Sequence, residues 1–398
     1  VAGTNGKGSS IAMLQAMYLA AGYRVGSYTS PHLYHYNERI CLDGEPVADG
    51  LLVDAFQLID DVRLRIKPVT SLTYFEFGTL AALHIFAQAD LDVILLEVGL
   101  GGRLDAVNIV DADVALITSI DLDHQSWLGD TREEIAREKA GILRANKTCV
   151  ISDPDTPAII EQQAKVLNCT CCVSGQTFDY RLEQRQWRWQ TKDTIRAGLP
   201  LPILSGQQQL QNAAGVLMVI ETLQFRLPIS QQAIRDGLVS ACLPGRFEIR
   251  QISQGDISVV FDVAHNPAAA ASLAESIQAF CGMSGASVAS GKRRLLCVFA
   301  ILTDKDLARV IGPLIPYVSH WNLASPSNAR GKPVVEIEKE LNRQLSAQNT
   351  NIMHEIQVKS HESVGHAILY AQSIAKPGDV ILVYGSFYTV AEAGVEHV

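Results

Sequence analysis

The sequence predicts an α/β protein, with a larger first domain on a mainly parallel sheet and a smaller α/β domain after it. Helical and strand-like periods alternate along most of the 398 residues, and the length suits two or three domains with full cores. Asp92–Val98 (DVILLEV) and Asp113–Ser119 (DVALITS) are unbroken apolar runs, which suit strands covered on both faces. Each run ends in polar residues, and in such sheets ligands gather at the carboxyl ends of strands.

In chain order, the first element is a glycine-rich loop, Gly3-Thr4-Asn5-Gly6-Lys7-Gly8-Ser9. Too little precedes it for the strand that should feed it, so the chain is expected to be a fragment or to have lost its natural start. Ser9 to Ala21 has helical apolar spacing and stops at Gly22, a suitable C-cap. Val25 to Tyr28 then reads as a short strand. Phe178, Tyr180 and Leu182 alternate with polar residues, and so do Trp187 and Trp189. Their interleaved arginines suggest a nucleic-acid surface, but a two-stranded antiparallel hairpin with one covered face is the better reading.

A boundary is placed near residue 245, at Leu243-Pro244-Gly245-Arg246, giving domains 1–245 and 246–398. The second has strand candidates at Ile257–Val263, Leu295–Ile301 and Val380–Tyr384 with helices between them, a Rossmann-like order. Met283–Gly291, rich in Gly, Ser and Ala, and the Lys292-Arg293-Arg294 that follows read as a flexible surface loop. No internal repeat is visible.

Composition narrows the function. Hydrophobic residues at 47% and charged residues at 19% exclude a disordered chain. A net charge of −9 argues against general binding to nucleic acid or anionic membranes. No apolar run approaches the ~20 residues of a membrane helix, and no signal peptide is visible. Cys169, Cys171 and Cys172 cluster without metal-ligand spacing, so the eight cysteines read as reduced, buried thiols of a cytoplasmic protein.

The loop carries the strongest chemical signal. Its glycines let backbone N–H groups curl around phosphate oxygens, and a helix N-terminus follows. Lys7 would sit against the β/γ-phosphates as a point charge. Gly8 separates it from the hydroxyl residue, so this is not the standard P-loop, yet the expected ligand is ATP or a similar nucleotide. The first domain is thus read as a P-loop ATPase domain. A divalent ion needs hard oxygen ligands, and three residues follow three successive strands: Ser30, Glu97 and His124. Alone, Ser30 is also a turn cap and Glu97 an internally paired acid. Lys139, on a helix opened by Asp130-Thr131, reads from spacing alone as a solvated lysine, with a functional role left open by the glycine after it. In Glu97-Val98-Gly99-Leu100-Gly101-Gly102-Arg103-Leu104-Asp105-Ala106, the glycines permit close backbone approach and Asp105 can steer Arg103. Thr73-Tyr74-Phe75-Glu76 offers aromatics and a carboxylate for a flat heterocycle, and is equally a capping box.

Together these motifs resemble the folylpolyglutamate synthase/dihydrofolate synthase family, a branch of the Mur-ligase-like ATP-dependent amide ligases. GTNGKGS, TSPHL, YFEFGTLAALHIF, LEVGLGGRLDAVNIV, TSIDLDHQSWLG, REKAGI, LPGRFE, DVAHNP and YGSFYTV follow one another in the family's order across nearly the whole chain. The resemblance implies an ATP loop at Thr4, Asn5, Gly6, Lys7, Gly8 and Ser9, with catalytic roles for Lys7, His124 and Lys139. It implies magnesium, as two ions, on Ser30, Glu97, His124 and a carboxylated Lys139, and room for a monovalent cation. Thr73 to Glu76 and Leu104, Asp105 and Ala106 match pterin-binding segments. Asn212, Arg246 and Asp262 match nucleotide contacts, with His265 and Asn266 expected at the same cleft; from its residues alone that last motif is a strand followed by an Asn-capped helix. Gln208 stands where many members have histidine. The family also has a first strand and part of a pteroate site ahead of the loop, which this sequence does not include.

The implied reaction is ligation of L-glutamate to 7,8-dihydropteroate, giving dihydrofolate, and to tetrahydrofolate, giving polyglutamates, through an acyl phosphate. Dihydropteroate, folates and L-glutamate would be the partners of a cytoplasmic monomer that binds neither nucleic acid nor membrane. Two alternatives differ in kind: a Mur-type ligase acting on a UDP-linked cell-wall precursor, and a non-catalytic nucleotide-binding regulator.

Overall fold

The computed structural model describes residues 1–203, 207–252, 256–282, 293–347 and 356–394. The chain divides into two compact units, Val1–Cys242 and Leu243–Val398. In the first unit α1 (Lys7–Ala20), β1 (Val25–Tyr28), β2 (Ile40–Leu42), β3 (Glu45–Pro46), α2 (Asp49–Arg65), α3 (Tyr74–Gln88), β4 (Val93–Leu96) and β5 (Val114–Ile117) come first. Then follow α4 (Gln125–Leu128), α5 (Arg132–Ala140), β6 (Thr148–Ile151), α6 (Ile159–Val166), β7 (Thr170–Val173), β8 (Phe178–Glu183), β9 (Gln186–Thr191), β10 (Ile195–Pro200), α7 (Gln207–Leu223) and α8 (Gln231–Ser240).

Two strand groups, β3-β2-β1-β4 and β5-β6-β7, are joined by the residues that open the chain. Val98 N donates to Val1 O, Ala2 N to Leu116 O and Thr118 N to Ala2 O, each at 2.9 Å, and Ala2 bridges Ile117 in parallel. Val1 and Ala2 therefore link the two groups ahead of the loop through an isolated bridge, with no strand of their own. Helix α1 starts at Lys7, two residues earlier than its apolar spacing suggests, because Gly6 takes the left-handed cap conformation (φ 90°) that a side chain would resist. The pairings of β1 with β4 and within β5-β6-β7 are parallel; only β2 and β3 run antiparallel. One strand departs from the expected burial. Ile94 in β4 is 48% exposed while Val93 and Leu95 are buried, so this strand is covered on one face only.

The aromatic hairpin is a three-stranded antiparallel sheet, β10-β9-β8, rather than two strands. Its third strand contains Gly198 and a register shift between Arg196 and Leu199, which break the alternation that marks a strand in sequence. Phe178, Trp187, Trp189 and Leu199 form the covered face. Trp187 Nε1 donates to Pro200 O at 2.8 Å and Trp189 Nε1 to Ala214 O at 3.1 Å, so both indoles are satisfied inside. Arg196 pairs with Glu221 at 2.8 Å and is spent on the fold. Trp127, on α4, is by contrast mostly exposed.

The second unit runs β11 (Glu248–Ile252), β12 (Ile257–Asp262), α9 (Pro267–Cys281), β13 (Leu295–Phe299), α10 (Leu307–Ile311), β14 (His320–Leu323), α11 (Val334–Ala347), β15 (Gln357–Ser360), α12 (Val364–Ile374), β16 (Val380–Tyr384) and α13 (Phe387–Gly394). The sheet order is β11-β12-β16-β13-β14-β15, parallel except for β11. The three expected strands are its centre; β13 and β16 are buried throughout, as a parallel interior demands, and β12 at four of its six residues. The three not foreseen are flanking strands with polar sequences. Met283–Lys292 lies outside the described residues, but Arg294 does not behave as a surface loop: its Nε donates to Asp379 Oδ2 at 3.1 Å and its N to Asp379 Oδ1 at 3.1 Å. All eight cysteines are free; Cys149, Cys172 and Cys297 are buried, whereas Cys242 is exposed, contrary to expectation. Among the described residues no helix is long and apolar enough to cross a membrane.

Helices α1 and α8 pack almost backbone to backbone at Gly237. A Cβ there would fall 2.7 Å from both Cα and N of Met17. Helix propensity alone would favour Gly237→Ala by about 1 kcal/mol. Contact with main chain that cannot move aside reverses the sign, and the variant should lose on the order of 1–3 kcal/mol in denaturant unfolding.

Candidate active site

The loop is clamped to the carboxyl end of β5. Thr4 N donates to Ser119 O at 2.7 Å, and Thr4 Oγ1 both donates to Asp121 O and accepts from Asp121 N at 3.0 Å. Thr118 Oγ1 donates to Asn5 O at 2.7 Å, and its side chain fills the space a Cβ on Gly3 would need. Sequence reading did not single out Thr118; its only signal was a hydroxyl at the end of an apolar strand.

Two lysines converge on one carbonyl. Lys7 Nζ donates to Gly3 O at 3.1 Å, and Lys139 Nζ donates to the same oxygen at 2.9 Å. Lys139 is 4% exposed, so it is not the solvated helix lysine that spacing alone suggests. Burial, and then the charge of Lys7, lower its pKa to about 7, against weaker pulls from Asp123 and Asp105. Its helix is placed by the glycine loop after β4: a Cβ on Gly102 would fall 2.7 Å from Glu138 O and 3.0 Å from Lys139 Cα.

The other strand ends supply oxygens. Glu97, buried just beyond β4, accepts from Ser30 N at 3.1 Å, which brings two of the expected metal ligands together across adjacent parallel strands. His124 caps α4 in a left-handed conformation (φ 50°), with Nε2 3.9 Å from Asp123 Oδ2. Among the described residues no three His, Cys, Asp or Glu side chains form a metal cluster. The expected set relies on Ser30 and Lys139 as well, and a buried carboxylate beside a hydroxyl residue suits a hard divalent ion that keeps waters.

Around this edge some assignments change. Arg103 is not steered by Asp105: its Nη2 and Nε donate to Glu138 Oε1 at 3.0 and 3.1 Å. Asp105 instead accepts from Leu100 N at 2.9 Å and Val107 N at 3.0 Å, caps the turn that begins at Ala106, and has its pKa raised by burial. Leu104 is exposed. Thr73 and Glu76 form the capping box, with Thr73 N donating to Glu76 Oε2 at 2.7 Å. Tyr74 is exposed, while the Phe75 ring lies 5.7 Å from that of Tyr28 and against Gly99. Asn212 is fully buried on α7 against Gly6, and its Oδ1 has no hydrogen-bond partner among the described residues. A buried acceptor left open beside a phosphate loop fits a ligand that donates to it.

In the second unit Asp262 accepts from Phe247 N at 2.9 Å and Ala264 N at 2.8 Å, and burial raises its pKa against the pull of Arg246. His265 Nδ1 lies 2.7 Å from Val263 O, and the Arg246 guanidinium stands 5.4 Å from the Phe387 ring centre. Asn266 caps α9, accepting from Ala269 N at 2.9 Å.

Residues 1–220 match the Mur ligase middle domain, and residues 245–387 match the Mur ligase glutamate ligase domain. The dihydrofolate synthase/folylpolyglutamate synthase of Escherichia coli (strain K12) is 41% identical over 391 residues, spanning 98% of this chain and 84% of that protein. The chain belongs to the dihydrofolate synthase/folylpolyglutamate synthase family. The E. coli FolC structure in complex with DHPP and ADP superposes with a TM-score of 0.86 at 41% identity, covering 98% of this chain and 86% of that one. The Yersinia pestis bifunctional enzyme complexed with AMPPNP and Mn ion gives 0.85 at 40% identity, with the same coverage. That fold is what sets the loop, Ser30 and Glu97 along one sheet edge.

Lys139 yields a pH prediction. An unfolded lysine holds its proton up to about 10.5, whereas the folded one releases it near 7. Between those values the unfolded state binds more protons, so in buffer free of carbon dioxide, with the amine unmodified, stability of the metal-free protein should climb with pH, by roughly 1.4 kcal/mol per unit. Unfolding of Lys139→Met across that window should lack this slope.

Proposed function

We propose that the chain joins L-glutamate to 7,8-dihydropteroate, giving dihydrofolate, and extends tetrahydrofolate to its polyglutamates. ATP supplies the phosphoryl group that turns the acceptor carboxylate into an acyl phosphate; the glutamate amine attacks that carbonyl carbon and phosphate leaves. The observation that carries the reading is the meeting of Lys7 and Lys139 on Gly3 O, at a strand edge where Glu97 holds Ser30. Family membership supports it throughout.

Each residue then has a task. The backbone of Thr4 to Ser9 and the start of α1 cradle phosphates, and Lys7 offsets charge on the phosphoryl group as it moves. Ser30, Glu97 and His124 hold magnesium, which screens the phosphates when bound. Thr73 to Glu76 and Leu104 to Ala106 receive the pterin, with Tyr74 and Phe75 as stacking surfaces. Asn212 accepts from the nucleotide. Arg246, Asp262 and His265 are read as nucleotide-binding side chains of the second unit. The eight free thiols support a cytoplasmic setting, and a monomer is the oligomeric state proposed.

Lys139 is proposed to be carboxylated. Only a neutral amine attacks carbon dioxide, forming the N–C bond and losing a proton, and a pKa near 7 provides that amine at neutral pH. The carbamate replaces a cation repelled by Lys7 with an anion attracted to it. Carbon NMR of protein equilibrated with labelled bicarbonate should show one carbamate signal, absent from Lys139→Arg.

The decisive assay is ADP release with ATP, magnesium, L-glutamate and either pterin. Turnover should appear with both pterins and fall about 10²–10³-fold in Lys7→Ala, the cost of removing one transition-state cation. Release only with a UDP-linked peptidoglycan precursor, or with neither pterin, would overturn the assignment.

A further inference from the structure

Arg39 is a buried cation without a matching anion. It lies just ahead of β2 and is 8% exposed. Its carbonyl accepts from Thr29 N at 2.9 Å, beside Ser30. Its Nε donates to His32 Nδ1 at 2.8 Å, and its guanidinium carbon stands 5.4 Å from the ring centres of both Tyr36 and Tyr74. Among the described residues no carboxylate pairs with it. The adjacent acid is spent elsewhere: Glu38 accepts from Leu33 N at 2.6 Å, Tyr34 N at 2.8 Å and His35 N at 2.6 Å. Arginine can only donate, so His32 Nδ1 is the acceptor and the imidazole carries its proton on Nε2.

The guanidinium is largely withdrawn from water, and its neutral partners, His32 Nδ1 and the Tyr28 hydroxyl, with two aromatic faces return only part of the hydration it gives up. A planar fork of donors suits a carboxylate. The position suits a substrate, because Tyr74, one wall of the cage, belongs to the proposed pterin segment and Ser30 to the proposed metal site.

We infer that Arg39 binds a glutamate carboxylate that does not react: the α-carboxylate of the incoming amino acid, or that of the terminal glutamate on a folyl acceptor. This rests on the ligase reading above. Either source presents the same chemistry to the guanidinium, and kinetics separates them. The reaction gains in specificity, since the residue recognises a group present on glutamate and absent from water.

The test is steady-state kinetics of the wild-type chain, Arg39→Gln and Arg39→Lys, varying each substrate in turn. Loss of a charged hydrogen bond should raise one KM on the order of tenfold to hundredfold in Arg39→Gln, with partial recovery in Arg39→Lys and the KM for ATP unmoved. A rise in the L-glutamate KM with both acceptors assigns the carboxylate to the incoming amino acid. A rise confined to tetrahydrofolate assigns it to the acceptor. Unchanged KM values in a folded Arg39→Gln, or equal rises for every substrate with no recovery in Arg39→Lys, overturn the inference and leave Arg39 a brace for the 32–36 turn. Should Arg39→Gln fail to fold, guanidinium NMR of the wild-type chain decides: the Arg39 signal must shift on saturation with L-glutamate or tetrahydrofolate, and a still signal with both overturns it. Absence of any glutamate-dependent turnover in the wild-type chain is a different failure, that of the ligase reading itself.

Discussion

The Gly3 carbonyl is the point on which the first unit turns. Its residue directly follows Val1 and Ala2, which join two strand groups, its missing side chain admits Thr118, and its oxygen takes hydrogen bonds from Lys7 and Lys139. Sheet continuity, loop position and the electrostatics of the site are thus set within a few ångströms. The two ammonium groups repel, and that repulsion, added to burial, makes the Lys139 amine chemically available. A structural bond and a tuned lysine are one arrangement.

The elements legible in the sequence are those whose period is simple. Val25–Tyr28 and Val380–Tyr384 are strands with the bounds their apolar runs suggest, and Asn266 and Thr73 cap helices as their chemistry requires. Gln357–Ser360 escaped because polar residues at a sheet margin leave no period to detect, and His320–Leu323, though inside the sheet, because His320 and Asn322 interrupt its apolar residues. In the site, Gly and Lys in a loop before a helix announce a phosphate cradle. The burial of Lys139 could not be read that way, since it depends on the tertiary approach of the loop at Gly102 rather than on any neighbour in sequence. Arg103 was misassigned for the same reason: Glu138, its partner, is distant in sequence and near in space.

Acids in this protein divide by what surrounds them. Glu76, half-exposed, and Glu134, exposed, lie at helix starts, where backbone and threonine hydrogen bonds draw their pKa values down. Asp105 and Asp262 are half-buried, and desolvation moves them upward although each accepts two backbone N–H bonds. Desolvation there outweighs hydrogen bonding. The exposed acids staple local structure. The desolvated ones fix turns beside the proposed pterin segment and the Arg246 side chain, where a ligand's charge would be felt most strongly.

The tryptophans have a spectroscopic consequence. Trp187, Trp189 and Trp321 are sealed in cores, while Trp127 stands in solvent on α4, within one turn of His124. Emission that a water-soluble quencher can reach therefore comes chiefly from one indole, and that indole is tied to the end of the strand that clamps the phosphate loop. The chain carries its own optical probe of this corner, with no label needed.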